Sequence, residues 1–388
     1  HFIIKSKLYN VDFVRDRTEG FDNFIKEIER QDVDQLAKVA GVDKQMVKEA
    51  AIAYATAKNS MEFHGLGVTE QEQGSKTVML IADLAMITGN IGRKGVGVNP
   101  LRGQNNVQGA ADMGCQPHQG AGYFEVADEK NQKFYTEKYG VTHPTKPGLK
   151  IPEMFEAAID KELKGLWIIG EDIVQTDPNS AHVVEAMNSL ELLVVQEIFM
   201  SETAKLATVV LPGTTFLEKD GTFTNTERRI QRVNKAVEPL PGTKPDGVIV
   251  TDMMQKLGFD QPSYDADQVL KEIADVVPFF KGVTRKRLGK LGLQWPVQED
   301  GTDTQILHTE SFKLGKGRLK NFDWKESTEI ETNKKKYPLI LTTSRVLQHY
   351  NAATMTRRTK NINIVDEDVL LIHPKDAAHR DINTGDIG

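Results

Sequence analysis

Between residues 11 and 57 the apolar positions recur at helical spacing. In "DFVRDRTEGFDNFIKEIERQ" the residues Phe13, Phe21, Phe24, Ile25 and Ile28 share one stripe, and "DVDQLAKVAGVDKQMVKEAAIAYA" predicts two short amphipathic helices, broken at Gly41 and restarted at an Asp43 cap. This pair has the outline of a DNA-binding helix-turn-helix, but its charges balance and no basic patch follows, so a packed helical hairpin is preferred. Next, "MEFHGLGV" predicts a strand running into a glycine turn at Gly65 and Gly67, and "SKTVMLIADLAMITGN" a buried helix stopped by Gly89 and Asn90.

A second alternating region follows: helix "PEMFEAAIDKEL", strand "GLWIIGED", helix "PNSAHVVEAMNSL", strand "ELLVVQEIF", a short helix near "SETAKLA" and strand "TVVLPG". Apolar strands separated by helices predict an α/β fold, its parallel sheet covered on both faces and its ligands at the carboxyl ends of the strands. From about 217 to 335 the periodicity weakens and turn residues multiply, with Pro239, Pro241, Gly242 and Pro245 close together. The charged run "ESTEIETNKKK" reads as a linker. Beyond it, "YPLILTTSRV" is expected to be a strand, with another strand-like stretch, a helix seed at "PKDAAHR" and the turn "NTGD" before the chain stops in mid-fold at Gly388.

At 388 residues the chain is too long for one core and should form two to four modules. No run of about 18 apolar residues exists, so no membrane span is expected. The start, "HFIIKSKLYN", lacks signal-peptide organisation and reads as the interior of something longer. A single cysteine, Cys115, excludes an intramolecular disulfide framework and any multi-cysteine zinc or iron–sulfur site, and suits a reducing compartment such as the cytoplasm. The net charge of -6 offers no general affinity for nucleic acid or acidic membranes.

Three polar clusters fall at loop positions. In "NPLRGQNNVQGAADMG", Arg102 offers a rigid fork of donors for a carboxylate or phosphate, while Gln104, Asn105, Asn106 and Gln108 both donate and accept, as recognition of a heterocycle requires. An ordered surface loop whose amides cap neighbouring helices would show the same composition, and both readings stay open. In "GEDIVQTDPN", Gly170, Glu171 and Asp172 follow a buried strand, where a carboxylate can accept from a ribose or a guanine amino group. Thr176 and Asp177 would cap the next helix. Glu197 holds the equivalent place on the next strand. Exposed turn acids are an equally good account of these positions. In "SRVLQHYNAATMTRR", Arg345, His349, Tyr350, Thr354, Thr356, Arg357 and Arg358 bring basic and hydroxyl groups together, suited to phosphate or pterin contacts, although a lone histidine such as His349 is more often structural. No GxSxG elbow, HExxH helix or P-loop is present, so hydrolase and NTPase readings have no support.

With "MITGNIGRKGVGVNPLRGQNNVQGAADMG" and "LLVVQEIFMSETAKLATVVLPGTTFLEKDGTFTNTERRIQRV", these clusters form ordered blocks over nearly the whole chain that resemble the molybdopterin oxidoreductase family. Within the family, "NPLRGQNNVQGA" is most like the catalytic (alpha) subunits of formate dehydrogenases. The resemblance implies two parallel-sheet α/β domains followed by the start of a C-terminal β-barrel. Residues 1–104 and 105–216 would be the partial α/β domains, 217–335 a connection packing towards an iron–sulfur domain, and 336–388 the barrel start. It implies oxidation of formate to carbon dioxide at a molybdenum or tungsten bis(pterin guanine dinucleotide) centre, and an electron-transfer subunit or redox carrier as partner.

Carried over residue by residue, Arg102 matches the arginine that holds formate. Gly65, Gly67, Gln104 and Asn105 match pterin contacts; Gly170, Glu171, Asp172, Thr176 and Glu197 the nucleotide edge; and Arg345, His349 and Tyr350 the barrel-side loop. No metal ligand is assigned. The family's 4Fe–4S cysteine motif and its Cys- or selenocysteine-His pair would lie upstream of His1, and Cys115 is outside the matching position, so the chain reads as an internal fragment, inactive alone. A related enzyme for another small oxyanion, and a non-catalytic scaffold of the same fold, are the alternatives.

Overall fold

In the computed structural model, which describes residues 1–387 apart from the side chains of residues 329, 331 and 332, the first helical stripe is cut in two. Gly20, at φ 83°, holds a left-handed conformation that side chains with a β-carbon disfavour, and here the chain leaves α1 (Val11–Arg17) and restarts as α2 (Phe21–Glu29). The stripe still packs as one: Phe24 and Ile28 are buried, with Phe13, Phe21 and Ile25 against them. α3 (Val33–Ala40) and α4 (Lys44–Thr56) are separated at left-handed Gly41, and the Asp43 carboxylate accepts from Met46 N–H at 3.0 Å. β1 (Met61–His64) and α5 (Gly74–Thr88) follow, the helix ending at left-handed Gly89, and β2 (Gly97–Pro100) returns parallel to β1 with His64 opposite Pro100. After the polar loop comes α6 (Val107–Asp112).

The alternating region folds as expected: α7 (Ile151–Ile159), β3 (Gly165–Ile169), α8 (Ser180–Ser189), β4 (Leu192–Glu197), α9 (Glu202–Lys205) and β5 (Val209–Pro212), with β3 and β4 parallel and the sheet ordered β3-β4-β5. Phe155, Ile168, Val183, Met187, Leu193 and Val195 form its core, each buried aliphatic or aromatic side chain contributing about 1.5–3 kcal/mol of transfer free energy. The expected cap on α8 is not made. A helical turn over Ile173–Thr176 intervenes, Thr176 turns elsewhere, and the N-cap is left-handed Asn179 with no side-chain bond.

Residues 217–335 are more regular than their sequence suggests. β6 (Gly221–Thr224), β7 (Arg229–Val233) and β8 (Leu293–Gln294) form an antiparallel sheet, with α10 (Asp246–Lys256) and α11 (Ala266–Val276) between them. Ile230, Leu270, Val276, Val277, Phe280, Val283, Leu288 and Val297 make a core of their own. The linker run carries a short helix, Thr328–Asn333, pinned where Thr328 N–H donates to Glu72 at 2.8 Å.

Past residue 336 the expected strands do not form. Among the described residues nothing pairs with "YPLIL", and Ile340 and Leu341 are 76% and 80% exposed; a strand without a ladder partner has no backbone bonds to hold it. The helix seed is real, as α12 (Pro374–Ala378), with Pro at its first turn and His373 capping it. Gly388, the end of the region expected to begin a barrel, lies outside the described residues. The chain divides into two compact units, residues 1–154 with 211–340, and residues 155–210 with 341 onward. No helix among the described residues is long and apolar enough to cross a membrane.

Candidate functional site

In the first unit the site grows from the carboxyl ends of β1 and β2. Leu101 N–H extends the ladder one step by donating to His64 O at 2.7 Å, and Arg102 is the first residue beyond it. On the β1 side, a β-carbon placed on Gly65 would meet Leu101 O at 3.9 Å and one on Gly67 would meet nothing within 4 Å. The backbone here is open to a ligand lying against it.

Arg102 is exposed but not loose. Its N–H donates to Thr226 Oγ1 at 3.2 Å, and its Nε donates to Gln108 Oε1 at 3.1 Å. Its two terminal nitrogens have no hydrogen-bond partner among the described residues, so the outer edge of the guanidinium faces solvent as a free pair of donors. Gln104 and Asn105 are exposed beside it. Asn106 instead turns inward, accepting from Thr224 N–H at 2.9 Å. A β-carbon on Gly109 would overlap that Asn106 Oδ1, which is why a glycine stands within α6.

Behind Arg102 lies a network absent from the sequence expectations. Asp112 is 0% exposed. Its Oδ1 accepts from Gln108 Nε2 at 2.9 Å and Tyr123 OH at 2.7 Å, and its Oδ2 from Trp295 Nε1 at 2.9 Å. Burial raises the pKa of Asp112, opposed by the three donors and by the charge of Arg102. Burial, and then the Asp112 carboxylate, push the Tyr123 phenol up. The i, i+4 spacing of Gln108 and Asp112 was a visible signal; Trp295, 183 residues from Asp112, left none.

In the second unit the site lies at the ends of β3 and β4. Gly170, at φ 65°, turns the chain there while its N–H donates to Gln196 O at 2.9 Å, and a β-carbon on it would meet nothing within 4 Å. Glu171 is exposed and accepts from Thr176 Oγ1 at 2.7 Å. Asp172 is turned the other way: 4% exposed, it accepts from Thr203 N–H at 2.9 Å and Thr203 Oγ1 at 2.7 Å, tying down the first turn of α9. Glu197 is half-buried and its Oε1 accepts from Ile198 N–H at 2.7 Å. Burial raises its pKa, Asp172 adds to the rise, and two backbone N–H groups and Arg358 oppose it.

The loop after residue 344 meets this edge through Arg358, whose guanidinium lies 5.0 Å from the centre of the Phe199 ring. His349 is buried. Its Nε2 donates to Val365 O at 2.7 Å, so Nδ1 is the acceptor for Thr356 Oγ1 at 3.1 Å, while the same hydroxyl oxygen accepts from Tyr350 N–H. The histidine therefore closes its own loop. The Tyr350 side chain is exposed, and Arg345 is exposed with no partner among the described residues. The structure thus groups Gly65, Gly67, Arg102, Gln104 and Asn105 in one unit, and Gly170, Glu171, Thr176, Glu197 and the 345–358 loop in the other. Asp172 and His349 point inward.

The sequence matches the family described as molybdopterin oxidoreductase over residues 6–256 and the molydopterin dinucleotide binding domain over residues 339–387. It is 43% identical to the alpha subunit of an F420-dependent formate dehydrogenase of Methanocaldococcus jannaschii, over 99% of this chain and 57% of that protein. It is 38% identical to formate dehydrogenase H of Escherichia coli, over 92% of this chain and 50% of that protein. In three dimensions it is similar to acetylene hydratase from Pelobacter acetylenicus, with a TM-score of 0.69, 18% identity and coverage of 99% of this chain and 57% of the other, a likeness of fold alone. The chain spans about half the length of the relatives it matches. On its sequence, the chain belongs to the molybdopterin oxidoreductase family.

Proposed function

We propose that the chain is part of the catalytic subunit of a formate dehydrogenase, which oxidises formate to carbon dioxide with release of two electrons and a proton. The observation that carries this reading is Arg102, an exposed guanidinium anchored through Nε with both terminal nitrogens free. Formate is one carboxylate and one C–H bond, so a fixed fork of donors can hold the carboxylate and aim the hydrogen, a positioning effect of several kcal/mol. Gln104 and Asn105 present amides beside it.

The resident group in this reading is molybdenum or tungsten with two pterin guanine dinucleotides, which when bound supplies the two-electron acceptor. The residues present fit such dinucleotides. Gly65, Gly67 and Gly170 leave backbone open at strand ends, Glu171 and Glu197 offer acceptors for ribose or guanine, and Arg345 and Tyr350 offer donors. In this reading the whole catalytic subunit also carries a 4Fe–4S cluster and a thiolate or selenolate metal ligand with its histidine. Electrons pass to a partner subunit or carrier in the cytoplasm.

In the full-length protein, Arg102→Ala should leave metal and pterin content unchanged and raise the formate KM at least about tenfold, the worth of one charge-assisted hydrogen bond. Unchanged formate kinetics would overturn the assignment of Arg102, and absence of both molybdenum and tungsten from the purified full-length protein would overturn the catalytic reading altogether.

A further inference from the structure

Arg102 sits on an exposed loop, and a long flexible side chain there would ordinarily sample many rotamers. Its aim depends on one side-chain bond, Nε to Gln108 Oε1. Which end of the Gln108 amide faces Arg102 is decided from behind. Gln108 Nε2 lies 2.9 Å from both Asp112 Oδ1 and Tyr123 OH, and a carboxylate can only accept, so the amide nitrogen must face Asp112 and the carbonyl oxygen must face Arg102. Asp112 has no solvent to turn to, and Tyr123 and Trp295 hold its two oxygens in place.

We propose that Asp112 is a positioning residue for Arg102, orienting through Gln108 the guanidinium that receives the substrate carboxylate. The inference rests on the reading of Arg102 given above. In Asp112→Asn the new amide brings donors to a place built for an acceptor. It must present N–H to either the Gln108 side or Trp295, and in the first case the Gln108 amide rotates and offers N–H to Arg102, releasing it. Removing charge while keeping shape therefore disturbs aim more than packing.

The test is steady-state formate oxidation by the full-length, cofactor-loaded protein. Asp112→Asn should raise the formate KM about tenfold with a smaller loss of kcat. In an Arg102→Ala background it should change kcat/KM less than about twofold, because the residue it aims is gone. Adding Gln108→Glu to Asp112→Asn, which exchanges acid and amide along the same line, should restore most of the lost affinity. A purely structural Asp112 would lower thermal stability without moving KM, and would act additively with Arg102→Ala; either result overturns the proposal. If Asp112→Asn does not fold, Tyr123→Phe, which removes one donor to the carboxylate, should raise KM about threefold, and an unchanged KM overturns it. An effect of Arg102→Ala without an effect of Asp112→Asn rejects the positioning role alone; no effect of either rejects the reading of Arg102 as well.

Discussion

Asp83 is 3% exposed on α5, the helix that also carries the core residues Met86 and Ile87. Among the described residues one hydrogen bond reaches its carboxylate, from Lys320 N–H at 3.3 Å, too long to offset the loss of water around it. Burial therefore pushes its pKa up to about 7, with the Lys320 N–H acting weakly in the other direction. In the unfolded chain an aspartate titrates near 4. Because the folded state holds its proton more tightly, folding takes up a proton between about pH 4 and pH 7, and stability falls as pH rises through that window. Each pKa unit is worth about 1.4 kcal/mol, so the ceiling is about 4 kcal/mol, and structural relaxation reduces it to roughly half.

Asp83→Asn keeps the shape and the acceptor for Lys320 but cannot ionise. Against this gain, the two amide N–H groups brought to a site that supplies only a donor cost together about 1 kcal/mol. The variant should be more stable than the native protein at pH 8, by about 1 kcal/mol, and equal or less stable at pH 5. Thermal unfolding of the full-length proteins at the two pH values measures this, with slower hydrogen exchange over residues 74–88 at pH 8 as the local readout. A variant destabilised equally at both pH values would refute the reasoning.

Three further outcomes follow from the same geometry. Gly109→Ala should destabilise the protein by about 1–3 kcal/mol, read as a lower Tm, because its β-carbon displaces Asn106 from Thr224 N–H. Asp172→Ala, which strips Thr203 and the start of α9 of their acceptor, should cost about 1–3 kcal/mol by the same assay, whereas Glu171→Ala, at an exposed turn, should stay within about 0.5 kcal/mol. His349→Ala should speed limited proteolysis between residues 349 and 365 several-fold while leaving cleavage elsewhere unchanged, since the ring joins Thr356 to Val365.

The regular elements were legible wherever local chemistry alone specifies them. Asp43 caps α4 and Gly89 ends α5 because the orphaned groups of a helix end are satisfied within a few residues. The alternation from residue 151 to 212 was legible because a sheet covered on both faces needs continuous apolar strands. In α11 the sequence carried Leu270 and Ile273 at helical spacing, with Val277 at the C-cap, and the surrounding prolines obscured a signal that was present. The strand pattern of "YPLIL" misled, since propensity describes a surface that a partner strand must still cover.

The sequence by itself determined the helices over residues 11–57, the alternating helices and strands over residues 151–212, the stretch holding Arg102 and, through ordered motifs, the family. Tertiary structure decided what each polar side chain faces. Asp172 and Glu171 are neighbours in sequence, yet one caps a helix in the interior and the other meets solvent; Gln108 directs Arg102 because a carboxylate and an indole 183 residues apart meet behind it. A hydrogen bond depends on distances of about 3 Å between groups the chain order leaves unrelated, and only folding brings such groups together.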